Sequence, residues 1–477
     1  MQSRLKALFG PQNMTEGNPF AVMMKFSLPL LIGNIAQLLY NTVNAIIVGQ
    51  LIGPEALASV GTSTPIMNLF FAFFMTVGTG VSIVVSQFYG AGSKERLTRS
   101  IGTSIILTFI ATMSITALGM PLSAPLMRLI NVDENIFGWS HRYLMIMFAG
   151  AIGVGFYNVL AGILRGLGDS VFPLIVLVFT SLLNIALVYL FVGVFGLGVS
   201  GAAIATVTAQ TLSAVVCLIK LLKMRDVVPI SMKTIRLHKD MAGSIFRIGL
   251  PSGIQQVILT ASATFVQSLI NGIVVFDANG VASQTIFLAA HTLFNTVDAM
   301  AMLPSQAFSM GCSTFTGQNI GAGNFDRVKQ GFKIILGTST AVAIILAVTL
   351  WFFSGDIMKL FIDMSRENAG DIIEWGVRIQ RIMIWCYLGI ALIQAPSGVM
   401  RGAGDTLPVM WITIFCTVAL RVPMAYIWVR SGISELTPGG NFHGIYWSMA
   451  ICTAIAGAMS MIYYLTGRWK RRVVQSS

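Results

Sequence analysis

The chain has 477 residues, of which 55% are hydrophobic and only 10% are charged, and its formal net charge is +12. Soluble domains carry about a quarter charged residues, so this composition excludes an ordinary soluble fold. Continuous apolar runs of about twenty residues recur along the chain, and each is long enough to cross a hydrocarbon core about 30 Å thick. Because the runs do not alternate, they favour membrane helices over a membrane β-barrel.

Twelve helices are predicted in chain order. We expect them at residues 22–51, 57–86, 98–120, 136–164, 170–195, 198–223, 243–273, 281–316, 326–354, 371–400, 406–431 and 441–467. Five cysteines fall inside these apolar segments without metal-ligand spacing: Cys217, Cys312, Cys386, Cys416 and Cys452. We interpret them as small core residues.

Basic residues are concentrated in every second connection. They lie at the N-terminus, in the even-numbered loops and in the tail: Arg4, Lys6, Lys94, Arg96, Arg99, Arg165, Lys220, Lys223, Arg225, Lys233, Arg236, Lys239, Arg247, Arg327, Lys329, Lys333, Arg401, Arg468, Lys470, Arg471 and Arg472. The other loops carry only Arg128, Lys359, Arg366 and Arg430. Short basic loops remain in the cytoplasm, so we expect a cell-membrane protein with both termini inside. This topology explains the positive charge without nucleic acid as a partner.

Three groups of motifs occur twice in the same order. SQFYGAGSKERL at 86–97 matches TGQNIGAGNFDRV at 316–328, and GILRGLGDSVFP at 162–173 matches GVMRGAGDTLP at 398–408. FSLP at 26–29 matches IGLP at 248–251, and the offsets of all matches lie between 222 and 236 residues. The glycines alone could be explained as tight-turn residues, but that explanation does not account for the shared order of the motifs.

The repeats predict the fold class. Each half holds six helices, an even number, so the two halves have the same orientation. We therefore expect an all-α membrane protein with twelve transmembrane helices in two parallel six-helix repeats and a central cleft. The predicted parts are a cytoplasmic N-terminal segment at 1–21, an N-lobe at 22–223, a cytoplasmic linker at 224–242, a C-lobe at 243–467 and a basic cytoplasmic tail at 468–477.

Two helices carry polar stripes. Residues spaced three or four apart share one helix face, and polar groups in a membrane must face protein or water. In the first helix these residues are Asn34, Gln37, Asn41 and Asn44, and in the seventh they are Gln256, Thr260, Thr264, Gln267 and Asn271. Both stripes are predicted to line a substrate pathway.

Three polar residues from three different helices are predicted to reach a similar depth. From the outer helix ends, Asn44 lies about 10 Å down, Asn184 about 15 Å and Thr206 about 12 Å, at a rise of 1.5 Å per residue. They belong to the first, fifth and sixth helices, and we expect them to lie near one another.

The duplicated Q-x-x-G-x-G and R-G-x-G-D motifs, NMTEGNP at 13–19 and GVSGAAIAT at 198–206 resemble the multidrug and toxic compound extrusion (MATE) family, and its bacterial branch most. The resemblance covers about residues 13–467. It implies a twelve-helix secondary transporter that exports organic cations and other amphipathic compounds, with H⁺ or Na⁺ as the coupling ion and no other cofactor. It also implies an N-lobe cation site, in which Asn184 and Thr206 match the family. The two acids of that site are replaced here by Asn44 and Val188, so we expect a much weaker cation site in the N-lobe.

The eighth helix offers a substitute for the missing acids. His291, Asn295 and Asp298 are spaced four and three, hence on one face. Asp298 lies about 20–25 Å from the outer end of its helix, and an ionisable residue at that depth is a candidate functional residue. Asp298 or His291 is therefore a candidate proton carrier. The alternative is a structural His–Asp or Asp–Arg pair.

Other charges have structural interpretations. Glu374 and Arg378 are spaced as a helical ion pair, whereas Arg421 is a lone charge that either counters a buried acid or meets an anionic ligand. At the cytoplasmic side, Gln87 and Gln318 mark equivalent loops. The pairs Arg165/Asp169 and Arg401/Asp405 are interpreted as loop-fixing pairs or gate elements.

These features predict an exporter of small amphipathic or cationic molecules that works by alternating access in the lipid bilayer, and we expect a monomer. A lipid-linked saccharide flippase of the same superfamily is one alternative, although it would need a more cationic cleft. A transporter-like sensor or scaffold without ion coupling is another alternative. Ligand-dependent flux in proteoliposomes separates such a sensor or scaffold from any transporter. An enzyme is not expected, since the sequence has no Walker-type nucleotide loop and no metal cluster.

Overall fold

A computed structural model describes residues 10–231, 234–276, 282–365, 368–431 and 442–471. The predicted loop charges Arg4, Lys6, Lys233, Arg366 and Arg472 lie outside the described residues. Within these ranges, eleven helices are long and apolar enough to cross a membrane, and a bent pair of helices supplies a twelfth span. The predicted number of helices and the all-α fold class are confirmed.

The first half of the chain forms spans α1 to α6. Their bounds are Pro19–Leu51 (α1), Pro54–Gly90 (α2), Lys94–Leu129 (α3), Glu134–Ala149 and Ala151–Gly166 (α4a and α4b), Val171–Val188 (α5) and Gly198–Lys223 (α6). α1 begins three residues before its predicted start. The side chain of Asn18 accepts hydrogen bonds from the amides of Phe20 and Ala21, and Pro19 occupies the first helical position, where its missing N–H costs nothing.

The second half forms spans α7 to α12. Their bounds are Lys239–Ile270 (α7), Gln284–Gly321 (α8), Phe325–Lys359 (α9), Ala369–Gly402 (α10), Thr406–Ile414 and Val422–Ser431 (α11a and α11b) and Phe442–Leu465 (α12). A two-residue antiparallel pair, β1 (Val275–Phe276) and β2 (Ala282–Ser283), lies between α7 and α8. A 3₁₀ turn at Arg468–Arg471 follows α12.

The fourth span is bent by 52° between α4a and α4b. Gly150 is the joint, and a β-carbon there would overlap the side chain of Val207. The Thr116 hydroxyl donates to the carbonyl of Phe148 at 2.7 Å. A side-chain hydroxyl thus adds a hydrogen bond to a backbone carbonyl at the bend.

Two spans contain a π-helical turn. α5 continues into the π-turn Tyr189–Val194, and the π-turn Phe415–Arg421 joins α11a to α11b. Such turns insert an extra residue into a helix and are frequent at functional sites. The first follows Asn184 within α5, and the second ends at Arg421.

The described chain packs as two compact units. The first comprises the residues up to Gly253 together with Thr314–Arg327, and the second comprises Ile254–Ser313 together with the residues from Val328 to 471. The first unit therefore includes the start of α7 and the end of α8 besides α1 to α6. Each unit has its own apolar core, built in the first around Val81, Ile163 and Ile245 and in the second around Phe287, Ile379 and Tyr446.

The duplicated motif loops meet inside the first unit. A β-carbon on Gly90 would overlap the carbonyl oxygen of Gln318, and one on Gly321 would overlap that of Gln87. Gly92 and Gly323 have φ angles of 65° and 76°, in the left-handed region that favours glycine. The glycines therefore do two things: one of each motif makes the turn, and the other permits backbone contact between the motifs.

Candidate functional site

The structure brings the predicted N-lobe residues together. Asn184 is fully buried on α5, and its Nδ2 donates to the Thr206 hydroxyl on α6 at 3.4 Å. The hydroxyl of Tyr40 on α1 interacts with the side chains of both Thr206 and Asn44. The sequence interpretation missed Tyr40, although its position four residues before Asn44 on the same helix face was a usable signal.

This N-lobe cluster is polar but carries no charge. The side-chain oxygens of Asn44 and Asn184 are buried and have no hydrogen-bond partner among the described residues. Val188, at the position of the second family acid, is 1% exposed and packs in an apolar core with Val48 and Ala205. Amide oxygens offer a cation dipoles only, so the cluster lacks the carboxylate that would neutralise a desolvated ion.

The stripe on α1 is partly accessible. The Gln37 side-chain amide donates to the Asn41 side-chain oxygen at 3.2 Å, and Asn41 is exposed whereas Asn34, Gln37 and Asn44 are half-buried. This i,i+4 amide pair satisfies one donor and one acceptor within the helix.

The stripe on α7 is more exposed. Gln256, Thr260, Thr264 and Asn271 are exposed and Gln267 is half-buried. Gln267 donates to the side-chain oxygen of Asn271 at 2.9 Å, the same i,i+4 arrangement as on α1, and Gln284 donates to the Asn271 carbonyl. Accessible amides and hydroxyls in a membrane helix require water, protein or a ligand as partners, because lipid tails provide none.

His291 on α8 is fully engaged in neutral hydrogen bonds. Its Nε2 lies 3.0 Å from the Asn295 side-chain nitrogen, and its Nδ1 lies 2.8 Å from the hydroxyl of Tyr446 on α12. His291 is 8% exposed and Tyr446 is fully buried. Both ring nitrogens therefore have partners, and the imidazole needs no charge.

Asp298 has a different set of partners. The hydroxyl of Tyr387 on α10 donates to its Oδ1 at 3.0 Å, and the Gln380 side-chain amide donates to the same hydroxyl at 2.9 Å. No lysine, arginine or histidine nitrogen of the described residues lies within 4.0 Å of this carboxylate. The predicted alternative of a His–Asp or Asp–Arg pair is therefore wrong. Gln380 and Tyr387, seven residues apart on one face of α10, were the signal that the sequence interpretation passed over.

The motif charges also have partners other than those predicted. Asp169 accepts from the Phe172 amide at the start of α5 at 3.0 Å, and Asp405 accepts from the Tyr463 hydroxyl at 2.6 Å. Arg401 donates to the Gln255 side chain at 3.0 Å. Within the described ranges no ion pair joins Arg165 to Asp169 or Arg401 to Asp405. The predicted Arg–Asp pairing is wrong, while each aspartate does fix its own loop.

Burial shifts the titration of the Asp169 carboxyl, which lies in the loop between α4b and α5. Loss of hydration raises its pKa above the usual value of 3.8, while the hydrogen bond from the Phe172 amide and the charge of Lys220 oppose that rise.

The predicted helical pair of Glu374 and Arg378 is present, and Arg378 also stands over the ring of Trp375.

Gln318 joins three motifs in the first unit. Its side-chain oxygen accepts from the backbone amide of Met14 at 2.8 Å, and its amide donates to the carbonyl of Gly166 at 3.2 Å. The Met14 carbonyl in turn accepts from Asn319 and Arg327, both at 3.2 Å. The N-terminal segment, the loop after α4b and the loop after α8 are thereby bonded to one another. Gln87 is 2% exposed beside this contact.

The duplicated architecture has a counterpart in known proteins. The sequence profile of the MatE family matches residues 29–190 and, a second time, residues 260–427. The chain belongs to the MatE family. The two matches fall in the two halves that the repeated motifs define, so the predicted family is confirmed.

Similar proteins match this MatE protein over nearly its whole length. It is 28% identical to the probable multidrug resistance protein YoeA of Bacillus subtilis (strain 168), with 97% of each chain covered. Among solved structures, it resembles a MATE protein in complex with MaL6, with a TM-score of 0.86, 25% identity, and 96% and 98% of the two chains covered. It also resembles a MOP superfamily transporter from Pyrococcus furiosus Vc1 (DSM3638), with a TM-score of 0.85, 25% identity, and 96% and 97% covered. This MatE protein is thus a multi-pass membrane protein of a family of multidrug efflux transporters.

Proposed function

We propose that this protein exports amphipathic or cationic compounds by secondary active transport, with the proton as coupling ion and Asp298 as the proton carrier. The observation that supports the proposal is the environment of Asp298: a half-buried carboxylate on a membrane span, with one hydroxyl donor and no counter-charge among the described residues. An intramembrane acid of this kind binds either a proton or a cation.

The distribution of carboxylates in the first half of the chain also supports Asp298 as the proton carrier. In the described spans α1 to α6, carboxylates occur only at helix starts, as Glu55 on α2, Glu95 on α3 and Glu134 on α4a. The N-lobe cluster of Asn44, Asn184 and Thr206 has oxygen donors but no titratable acid. Asp298 is therefore the stronger candidate for exchanging a proton with a cationic substrate.

The proposed cycle follows from competition at one carboxylate. A cationic substrate entering from the cytoplasm binds the ionised form, and a proton arriving from outside neutralises the carboxylate and releases the substrate. Coupling requires that the two ligands stabilise different conformations, because a ligand with equal affinity for both states shifts neither. The proposal keeps both termini in the cytoplasm, supported by the distribution of basic residues.

The test is transport of the cationic dye ethidium in proteoliposomes, with a pH gradient and a sodium gradient imposed separately. We expect the pH gradient to drive transport in the wild type and Asp298→Asn to reduce it to the level of protein-free vesicles. Asp356→Asn is the matched control, since its carboxylate is exposed and pairs with Lys359 at 2.9 Å. Unchanged pH-driven transport in Asp298→Asn, or transport driven by sodium alone, would contradict the proposal.

A further inference from the structure

Arg421 is a half-buried cation without an ion-pair partner among the described residues. It ends the π-turn between α11a and α11b, about 15 Å from the predicted outer end of that span. Its Nε is buried and has no hydrogen-bond partner, and its guanidinium forms no hydrogen bond or ion pair with any residue that the structure describes. A membrane protein rarely retains such a charge without a function for it, because an arginine at mid-membrane costs several kcal/mol.

The direction of the side chain argues against contact with lipid. Thr417 and Ala425, four residues before and after Arg421, are 8% and 0% exposed, so this face of α11 points into the second unit. The exposed face carries Val418 and Ile427, which are 46% and 59% exposed. Arg421 itself is half-buried, so part of the guanidinium remains accessible.

The groups around Arg421 do not neutralise it. Arg421 lies near the thiols of Cys386 on α10 and Cys452 on α12, which are 2% and 4% exposed. Neutral thiols are weak acceptors and supply no compensating charge. Asp298 also lies near Cys386, yet among the described residues Asp298 and Arg421 form no ion pair with each other.

We propose that Arg421 is an anion-binding subsite that takes the carboxylate, sulfonate or phosphate of an amphipathic substrate. A planar guanidinium binds such groups through two parallel hydrogen bonds, and it favours them most where water is scarce. This inference rests on the proposed export function and narrows its substrate class. A molecule that also carries a cation would place that cation toward Asp298, so zwitterionic amphiphiles fit both groups together.

The test compares two dyes that differ in one charge, tetramethylrhodamine with a free carboxylate and its methyl ester. Binding of each to the purified full-length protein is measured by fluorescence anisotropy. The variants are Arg421→Gln, Arg421→Lys and the control Arg430→Gln, whose guanidinium lies over the Tyr426 ring near the end of α11b. We expect the wild type to bind the free acid about 10- to 100-fold more tightly than the ester, as for a charge-assisted hydrogen bond.

Arg421→Gln should abolish the preference while leaving the affinity for the ester unchanged, which also shows that the variant is folded. Arg421→Lys should retain part of the preference, and Arg430→Gln should retain all of it. Equal affinity of the wild type for acid and ester would overturn the inference, as would an equal loss for both dyes in Arg421→Gln. Asp298→Asn separates the two proposals: it should weaken both dyes alike, and failure to do so counts against the proposed function but not against the role of Arg421.

A second experiment, in bilayers of defined lipid composition, identifies whether the bound anion is a lipid headgroup or a soluble molecule. The measurement is repeated in nanodiscs of phosphatidylcholine with and without phosphatidylglycerol. Competition by phosphatidylglycerol in the wild type but not in Arg421→Gln supports the subsite and indicates a lipid headgroup as an occupant. Absence of competition, with the acid preference intact, supports the subsite and indicates soluble amphiphiles. Equal competition by phosphatidylglycerol in both proteins, together with an acid preference that Arg421→Gln retains, contradicts the anion-binding subsite.

Discussion

The contact made by Gln318 should hold the N-terminal segment against the first unit. Gln318 is fully buried, and it bonds the amide of Met14, also fully buried, and the carbonyl of Gly166. Gln318→Met keeps the length of the side chain and removes both bonds. The Met14 carbonyl keeps its bonds to Asn319 and Arg327, so the segment loses one of its anchors and not all of them.

The expected cost of Gln318→Met follows from the backbone groups that lose their hydrogen-bond partner. Removing one partner of a buried hydrogen bond costs about 1–3 kcal/mol for each orphaned group. The Met14 amide and the Gly166 carbonyl make two such groups, so the expected cost is about 2–6 kcal/mol. Since about 1.4 kcal/mol corresponds to a factor of ten, local opening of the segment should become at least about 30-fold more frequent.

Hydrogen–deuterium exchange of the peptide spanning residues 10–18 measures this opening directly. The wild-type peptide should be protected at Met14, and Gln318→Met should accelerate its exchange by at least about 30-fold. Gln37→Met is the control, because Gln37 makes its hydrogen bond to Asn41 on an accessible helix face. Unchanged exchange in Gln318→Met, or equal acceleration in Gln37→Met, would refute the reasoning.

Three further predictions concern other contacts. Gly90→Ala should lower the thermal stability by about 1–3 kcal/mol because its β-carbon would overlap the Gln318 carbonyl, whereas Gly138→Ala meets open space and should be neutral in the same melting assay. Asn184→Leu removes a buried oxygen that has no partner among the described residues, so it should raise the free energy of unfolding by about 1 kcal/mol. The variant should also retain pH-driven ethidium transport. Loss of that transport would assign ion coupling to the N-lobe cluster. Burial raises the pKa of Asp169 above 3.8, so its protonation favours the folded state. Relative to Asp169→Asn, the wild type should therefore have its largest stability advantage below pH 3.8 and should lose that advantage as the pH rises through the folded-state pKa. Thermal melts of the two proteins at a series of pH values measure this difference. A stability difference that is the same at every pH would contradict the prediction.

The helices were predictable because a lipid environment leaves few alternatives. Backbone groups in hydrocarbon must be bonded within the segment, so an apolar run of about twenty residues becomes a helix whatever it packs against. The bend at Gly150 was not predicted, because the side chain of Val207 that requires a glycine there comes from another span. The π-turn ending at Arg421 was not predicted for a similar reason: an extra residue in a helix leaves no mark on hydrophobic periodicity over so short a stretch.

The candidate site was only partly predictable. Polar spacing identified the stripes of α1 and α7 and the row His291, Asn295 and Asp298, since residues on one helix share a face by geometry alone. The partners of these residues come from other helices, and no spacing rule connects them. Tyr387 bonds Asp298 across 89 positions of the chain, and Tyr446 lies 155 positions from His291.

By itself, the sequence determined the number of spans, the duplication and the family, because each depends on composition or on order along the chain. The tertiary structure decided which polar groups are satisfied. It gave His291 two neutral partners, gave Asp298 a hydroxyl without a counter-charge and left Arg421 without a partner among the described residues. The physical reason is that the state of a buried polar group depends on the few atoms within hydrogen-bond distance, and folding selects those atoms from distant parts of the chain.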